Sequence, residues 1–261
     1  MNPTAACVTR IEDRRRAATP VSASDVLRWA GLGELAGPDT DAIEYPLRRV
    51  PALATLYVEG QPLHHLYCVA SGSFKSTQND VEGYEQVLGF ALHGDMLGLD
   101  ALCGLRHASG AVALEDSAVV ALPYTELLAS SREVPALARL LLHAGGAELQ
   151  RRSDTQYLMA APSSEVRVAR FLLHLARRQA ALGQSGRRLR LRMTRRDIAN
   201  CLGVAHETVS RALTGLAQSG CIGVAHRDVE IVDVGALHDL QRMTRGAAPA
   251  QTTHEASAIA A

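Results

Sequence analysis

The 261-residue chain has no apolar run approaching the ~18 residues that a membrane-spanning helix needs. Met1 to Arg16 is polar and arginine-rich with no apolar core, which speaks against a secretory signal. The five cysteines, Cys7, Cys68, Cys103, Cys201 and Cys221, form no CxxC pair. Such a scattered, odd set fits a reducing cytosol better than a disulfide framework, so a cytoplasmic location is expected. There is no G-x-S-x-G elbow, no Walker loop and no internal repeat. Lysine is absent between Pro162 and Arg245, yet fourteen arginines stand there against seven acids, a net +7. Met1 to Ala161 carries a net −6, and the whole chain is formally neutral. A basic C-terminal third on a mildly acidic body is the footprint of a polyanion-binding module, although arginine-rich helices can also carry solvated faces.

Met1 to Thr40 reads as a loosely ordered extension with one short helix, Ser24 to Leu32, capped by Ser24 ahead of Asp25. From Ile43 to Pro123 short apolar runs alternate with Gly, Pro, Asn and Asp. The runs are Leu53–Val58, His65–Ala70, Phe74–Thr77, Gln86–Ala91, Ala111–Glu115 and Ala118–Leu122. Strands this short, with turn chemistry between them, predict a small antiparallel barrel or jelly roll. Helical periodicity follows: Pro135 suits a first helical position, and Leu137, Leu140, Leu141, Ala144 and Ala147 make one stripe. The stripe breaks at Gln150 to Asp154, resumes at Tyr157 and Leu158, and stops at Pro162. A second copy of the helix, meeting it along a coiled-coil-like seam, is the economical partner for this stripe; the alternative is packing against the chain's own barrel.

A new unit opens at Ser163, a cap for a helix carrying Glu165 in its first turn and Val166, Ala169, Leu172, Leu173 and Ala176 on one face. After a Gly183–Gly186 loop and a short strand over Arg190 to Met193, the segment Arg195 to Thr214 has the pattern of a helix-turn-helix. Thr194 caps the first helix, with Asp197 completing a short capping box. Ala199 is small where the helices cross, and Gly203 supplies the left-handed turn. Val209, Leu213 and Leu216 form the buried stripe of the second helix. Its other face carries Glu207, Ser210 and Arg211 at i, i+3 and i+4. In a major groove, arginine makes a bidentate contact to guanine, glutamate accepts from cytosine N4, and serine bonds a base edge or phosphate. The competing reading is an exposed Glu207–Arg211 intrahelical pair, worth only about 0.3–0.5 kcal/mol. His206, Thr208, Thr194 and Arg195 stand at the edges of this face as further candidate DNA contacts. Gly220–Val224 and Val229–Val232 read as a hairpin around His226 to Asp228, and Gly246 to Ala261 as a polar, disordered tail.

The run Glu207-Thr208-Val209-Ser210-Arg211 resembles the recognition helix of the Fnr branch of the Crp/Fnr superfamily, whose pattern is Glu-x-x-Ser-Arg. Leu66 to Ser76 and Gly89 to Gly98 resemble strand-turn segments of that family's β-roll, and Met193 to Ala199 resembles the start of its winged helix. The resemblance covers most of the chain. It implies an α+β fold: an N-terminal antiparallel β-roll of the cyclic-nucleotide-binding jelly-roll type, a long dimerisation helix and a C-terminal winged helix-turn-helix. The boundaries expected are an extension over 1–40, the roll over 41–130, the dimer helix over 131–161, the winged helix over 162–235 and a tail over 236–261. It further implies a homodimeric transcription regulator that reads a TTGAT-N4-ATCAA type of palindrome in double-stranded DNA, and touches RNA polymerase if it activates. Ala205 stands where a capping Thr or Ser is usual in the family.

The resemblance also implies a sensor. The namesake of the Fnr branch holds an iron–sulfur cluster on several N-terminal cysteines and one in the roll, but here Cys7 is the one N-terminal cysteine and the roll position just before Pro123 is apolar, which speaks against four thiolate ligands. Cys68 and Cys103 read as small buried residues. The Crp branch holds cyclic nucleotide with a Glu after the glycine equivalent to Gly98 and with an Arg-Ser pair. Leu99 and Ala108-Ser109 stand there, and Arg106 is displaced, which speaks against cAMP. His64, His65, His93 and His107 leave haem open. Two rival readings remain: a repressor needing no effector, with the roll as scaffold, and a cupin-like metalloenzyme. The latter needs a His-x-His pair, whereas His64 and His65 are adjacent and alternate faces in a strand.

Overall fold

The computed structural model describes residues 20–243. The expectations for Met1 to Arg16, for Cys7 and for the tail from Gly246 lie outside the described residues. The chain runs through β1 (Pro20–Ser22), α1 (Ala23–Trp29), α2 (Pro38–Asp41), β2 (Glu44–Val50), β3 (Thr55–Tyr57), β4 (His65–Ser71), β5 (Phe74–Asn79), β6 (Glu85–Ala91), β7 (Met96–Leu97), β8 (Gly110–Ala113) and β9 (Ser117–Pro123). It continues through α3 (Tyr124–Glu133), α4 (Pro135–Met159), α5 (Ser164–Ala181), β10 (Arg188–Arg190), α6 (Arg195–Leu202), α7 (His206–Gln218), β11 (Ile222–Ala225), β12 (Asp228–Ile231) and α8 (Val234–Met243).

Two antiparallel sheets make the roll, one in the order β1-β2-β9-β4-β7 and the other β3-β8-β5-β6. All six runs expected from sequence are strands. The central strands β4 and β9 are buried on both faces because side-chain alternation feeds two different cores. Tyr67, Val69, Val119 and Ala121 point between the sheets. Leu66, Cys68, Val120 and Leu122 point outward, under α1, α3 and α4. Strand β2 escapes a hydrophobic reading because it carries Pro46, Arg48 and Arg49. Pro46 is tolerated because pairing with β9 begins only at Leu47, leaving Pro46 opposite Pro20 of β1.

Several expectations are corrected. Pro20 to Asp41 is not loosely ordered: β1 extends the sheet, and Ala23, Val26 and Leu27 of α1 are fully buried. The α1 cap is Ser22, whose Oγ accepts from the Asp25 amide at 3.2 Å. Ser24 is instead buried, with its hydroxyl 2.6 Å from that of Thr40. The unit expected to end at 235 continues into α8, which buries Leu237 against the C-terminal core. Cys103 is exposed, whereas Cys68, Cys201 and Cys221 are buried.

The stripe on the long helix is not a seam for a second copy, as its periodicity favoured, because the outer face of the roll needs the same cover. Leu137, Leu140 and Ala144 of α4 pack into the chain's own roll. The polar break after Gln150 is where α4 bonds to its surroundings: Arg151 donates to Asp95 at 2.9 Å and to the Met96 carbonyl at 3.2 Å. The face of α4 turned outward is a different one, and it carries Leu142 and Leu149, which are 78% and 70% exposed.

Candidate nucleic-acid interface

The helix-turn-helix is built from local chemistry. Thr194 Oγ1 accepts from the Asp197 amide at 3.1 Å, and the Asp197 carboxylate accepts from the Thr194 amide at 2.8 Å, a complete capping box at the start of α6. Gly203 closes α6 in the left-handed conformation, φ 63°. A Cβ there would be strained and would press Met159 Cε at 3.3 Å. Arg167 of α5 donates to the Leu202 carbonyl at 3.1 Å, satisfying one of the acceptors left open at the end of α6. Nothing local points to that role; it appears only when α5 is laid beside the turn.

In α7, Val209, Leu213 and Leu216 are buried together with Ala199 of α6, so the inner face is fixed as the spacing predicts. Glu207, Ser210 and Arg211 are all exposed on the outer face. The Glu207–Arg211 intrahelical pair does not form. Glu207 lies 3.3 Å from His206, and Arg211 makes no hydrogen bond or ion pair among the described residues. Ser210 donates to the His206 carbonyl at 3.3 Å. A guanidinium with no intramolecular partner leaves its donors for an external acceptor.

Other sequence-derived candidates are less free. Thr194 uses its hydroxyl on Asp197 at 2.7 Å. Arg195 donates to the His226 carbonyl at 3.0 Å, in the turn of the β11–β12 hairpin, and burial lowers its pKa. It therefore ties the wing to α6. Its neighbour Arg196 is exposed and was not singled out from sequence. Thr208 is half-buried at the N-terminal side of α7. Ala205 starts α7 with no side-chain cap. Ala205→Ser should stabilise α7 by about 1 kcal/mol, read as slower amide exchange across its first turn; unchanged exchange would mean that water already serves those amides.

Between the roll and the C-terminal unit lies a cavity lined by Tyr57, Asp100 and Ser109 from the roll, Phe171 and His174 from α5, and Cys201 from α6. Ser109 Oγ donates to Asp100 at 2.8 Å, and His107 Nδ1 stands 3.7 Å from the same carboxyl. Burial alone would raise the Asp100 pKa, but His107 and Ser109 outweigh it and hold Asp100 ionised below the usual carboxylate range. Arg106 turns away and donates to the Gly60 carbonyl at 2.8 Å. The arginines of α4 and α5 that line the cavity are already paired, Arg151 and Arg178 with Asp95 and Arg152 with Glu148. A cyclic phosphate would meet a fixed negative charge with no free cation opposite, so these residues do not fit a cyclic nucleotide.

The histidines set aside for haem are dispersed. His65 lies beside Arg48, His93 bonds the Ala70 carbonyl, and His107 stacks on Tyr57 at 3.9 Å between centroids. Among the described residues no three metal-ligating side chains converge. The histidine that does line the cavity is His174, which the sequence did not flag. Burial first, then Arg178, pushes its pKa down to about 4, so it is neutral. No helix among the described residues is long and apolar enough to cross a membrane.

Comparison with known proteins agrees with this geometry. Residues 47–132 match the model of the cyclic nucleotide-binding domain, and residues 166–240 that of the Crp-like helix-turn-helix domain. The chain is 38% identical over 192 residues to the transcriptional regulatory protein btr of Bordetella pertussis, covering 74% of this chain and 79% of that one. It is also 38% identical over 194 residues to the fumarate and nitrate reduction regulatory protein of Escherichia coli K12, covering 74% and 78%. Among solved structures, FixK2 from Bradyrhizobium japonicum aligns with a TM-score of 0.68 and 31% identity, covering 75% of this chain and 96% of that one. With a β-roll, a long helix and a C-terminal helix-turn-helix, the chain belongs to the Crp/Fnr family of DNA-binding transcription regulators.

Proposed function

We propose that two copies of this chain pair along α4 and read an inverted repeat of the TTGAT-N4-ATCAA kind through α7. The observation that carries the reading is the outer face of α7: one acid, one hydroxyl and one unpaired guanidinium, held rigid by the buried Val209, Leu213 and Leu216. Arg211 takes the guanine of each half-site by two hydrogen bonds, Glu207 accepts from a cytosine amino group, and Ser210 turns from its own helix to a base edge. His206 and Thr208 flank the trio, and Arg196 supplies a phosphate contact at the start of α6. Thr194 and Arg195 contribute by holding α6 and the wing in place. Two-fold pairing sets the half-sites about one helical turn apart. The regulator works in the cytoplasm and, at promoters it activates, contacts RNA polymerase.

Selection of bound duplexes from a random pool tests this reading. The expected result is enrichment of paired TTGAT-like half-sites in inverted orientation. Enrichment of lone half-sites would remove the pairing, and no enrichment would remove the assignment of the α7 face.

A further inference from the structure

Twenty-six of the chain's twenty-seven cationic residues of the lysine and arginine types are arginine; the sole lysine is Lys75. It lies on β5 of the roll, yet its ammonium reaches into the C-terminal unit. Lys75 Nζ donates to Asp197 Oδ1 at 2.9 Å and also to Glu85 on the neighbouring strand β6. The lysine side chain is 14% exposed and that of Asp197 9%. Burial alone would lower the Lys75 pKa, but Glu85 and Asp197 outweigh it and keep the ammonium charged. Asp197 is the residue whose other oxygen completes the capping box of α6.

The rest of the β5–β6 hairpin grips the same helix face one turn on. Asn200 Nδ2 donates to the Glu85 carbonyl at 3.0 Å, Tyr84 Oη donates to Asn200 Oδ1 at 3.2 Å, and Gln86 Nε2 donates to the Asn200 carbonyl. Behind these ties Val87 and Phe90 of β6 sit in the apolar core of the C-terminal unit, with Phe90 edge-on to Phe171. Apolar contact holds the two units together but tolerates slip. A directional, largely buried charge pair fixes register and angle. The grip engages α6 on Asp197 and Asn200, whereas Glu207, Ser210 and Arg211 of α7 stay exposed. It therefore orients the reading face without covering it.

We propose that Lys75 is a positioning residue: with the β5–β6 hairpin it locks the helix-turn-helix at one angle to α4, so that two reading helices meet one duplex at matched spacing. The proposal rests on the paired-chain reading above. A palindrome needs both helices in the correct pose together, whereas a lone half-site needs one helix and any pose. If loss of the lock leaves each protomer in the competent pose about a third of the time, palindrome affinity falls about tenfold while half-site affinity stays unchanged.

The test is Lys75→Met, with Lys75→Arg as rescue, measured on the palindrome and on a single half-site duplex. The expected result is a palindrome-specific loss of about tenfold that Lys75→Arg restores. Equal loss on both duplexes places the defect inside the helix-turn-helix, unchanged palindrome affinity leaves Lys75 without this role, and tighter palindrome binding makes the contact a brake; each overturns the proposal. Wild-type protein that fails to prefer the palindrome overturns the paired-chain reading instead. Because Lys75 is the sole lysine, acetic anhydride labelling followed by mass spectrometry reads the same contact without any variant. Lys75 should label no faster in the palindrome complex than in free protein; faster labelling on DNA means that the lock opens on binding, which contradicts the proposal.

Discussion

Arg211→Ala should weaken binding to the palindrome by some thirtyfold or more and flatten its preference at one guanine in each half-site. A good bidentate contact is worth roughly 1–3 kcal/mol of base discrimination, and a paired chain makes it twice, so the summed loss is about 2–6 kcal/mol. Folding should be unaffected, because Arg211 is exposed and makes no hydrogen bond or ion pair among the described residues. Arg211→Lys should recover part of the affinity and little of the discrimination, since an ammonium lacks the planar fork. The measurement is titration against the palindrome and against a duplex with the guanine replaced, at several salt concentrations. If Arg211 touches a phosphate, binding falls uniformly across sequences and the salt slope drops by about one. That pattern would remove Arg211 from base reading.

The helix-turn-helix was legible in the sequence because its determinants are neighbours. The Thr194–Asp197 box, the left-handed Gly203 and the Val209–Leu213–Leu216 stripe each lie within about one to two helical turns. The exposed trio follows from that stripe by subtraction. What the sequence did not carry is contact across distance. Arg195 reads as a free cation until the wing turn brings the His226 carbonyl to it. Arg167 becomes a cap only beside Leu202. Lys75 and Asp197 are 122 positions apart, and no periodicity joins them.

The roll shows the same limit in another form. Strands with a clean apolar run were found, whereas β2 was hidden by Pro46 and its two arginines, and β7 is only Met96–Leu97. Amphipathicity of α4 was readable, but a stripe states that one face is apolar and not what covers it. The roll covers it here. The same logic governs the cavity. Phe171, His174 and Cys201 come from the DNA-binding unit, so that unit forms one wall of the space beneath the roll. Anything that fills this space touches α5 and α6 directly, and it can alter DNA binding only by binding one arrangement of that wall more tightly than another.

The double variant Leu142→Glu with Leu149→Glu should convert the protein to a folded monomer. The two leucines are seven residues apart, two helical turns, and so share one face of α4. They are 78% and 70% exposed, so they contribute almost nothing to their own chain. Between them stand Gly145 and Gly146, each costing about 1 kcal/mol relative to alanine in an exposed helix interior. A Cβ at either would meet nothing within 4 Å, so the fold of the single chain gives no reason for them. Close approach of a second helix does. Burying the four leucines of a paired chain is worth about 1.5–3 kcal/mol each, roughly 6–12 kcal/mol together, and four glutamates would replace that gain with like-charge repulsion. Sedimentation should then give a single protomer at micromolar concentration that still unfolds cooperatively, at a thermal midpoint below that of the wild type and independent of protein concentration. Half-site binding should persist while the advantage of the palindrome disappears. A variant that still sediments as a dimer would show that the chains pair through a face other than this one, and the spacing argument for the inverted repeat would have to be rebuilt on that face.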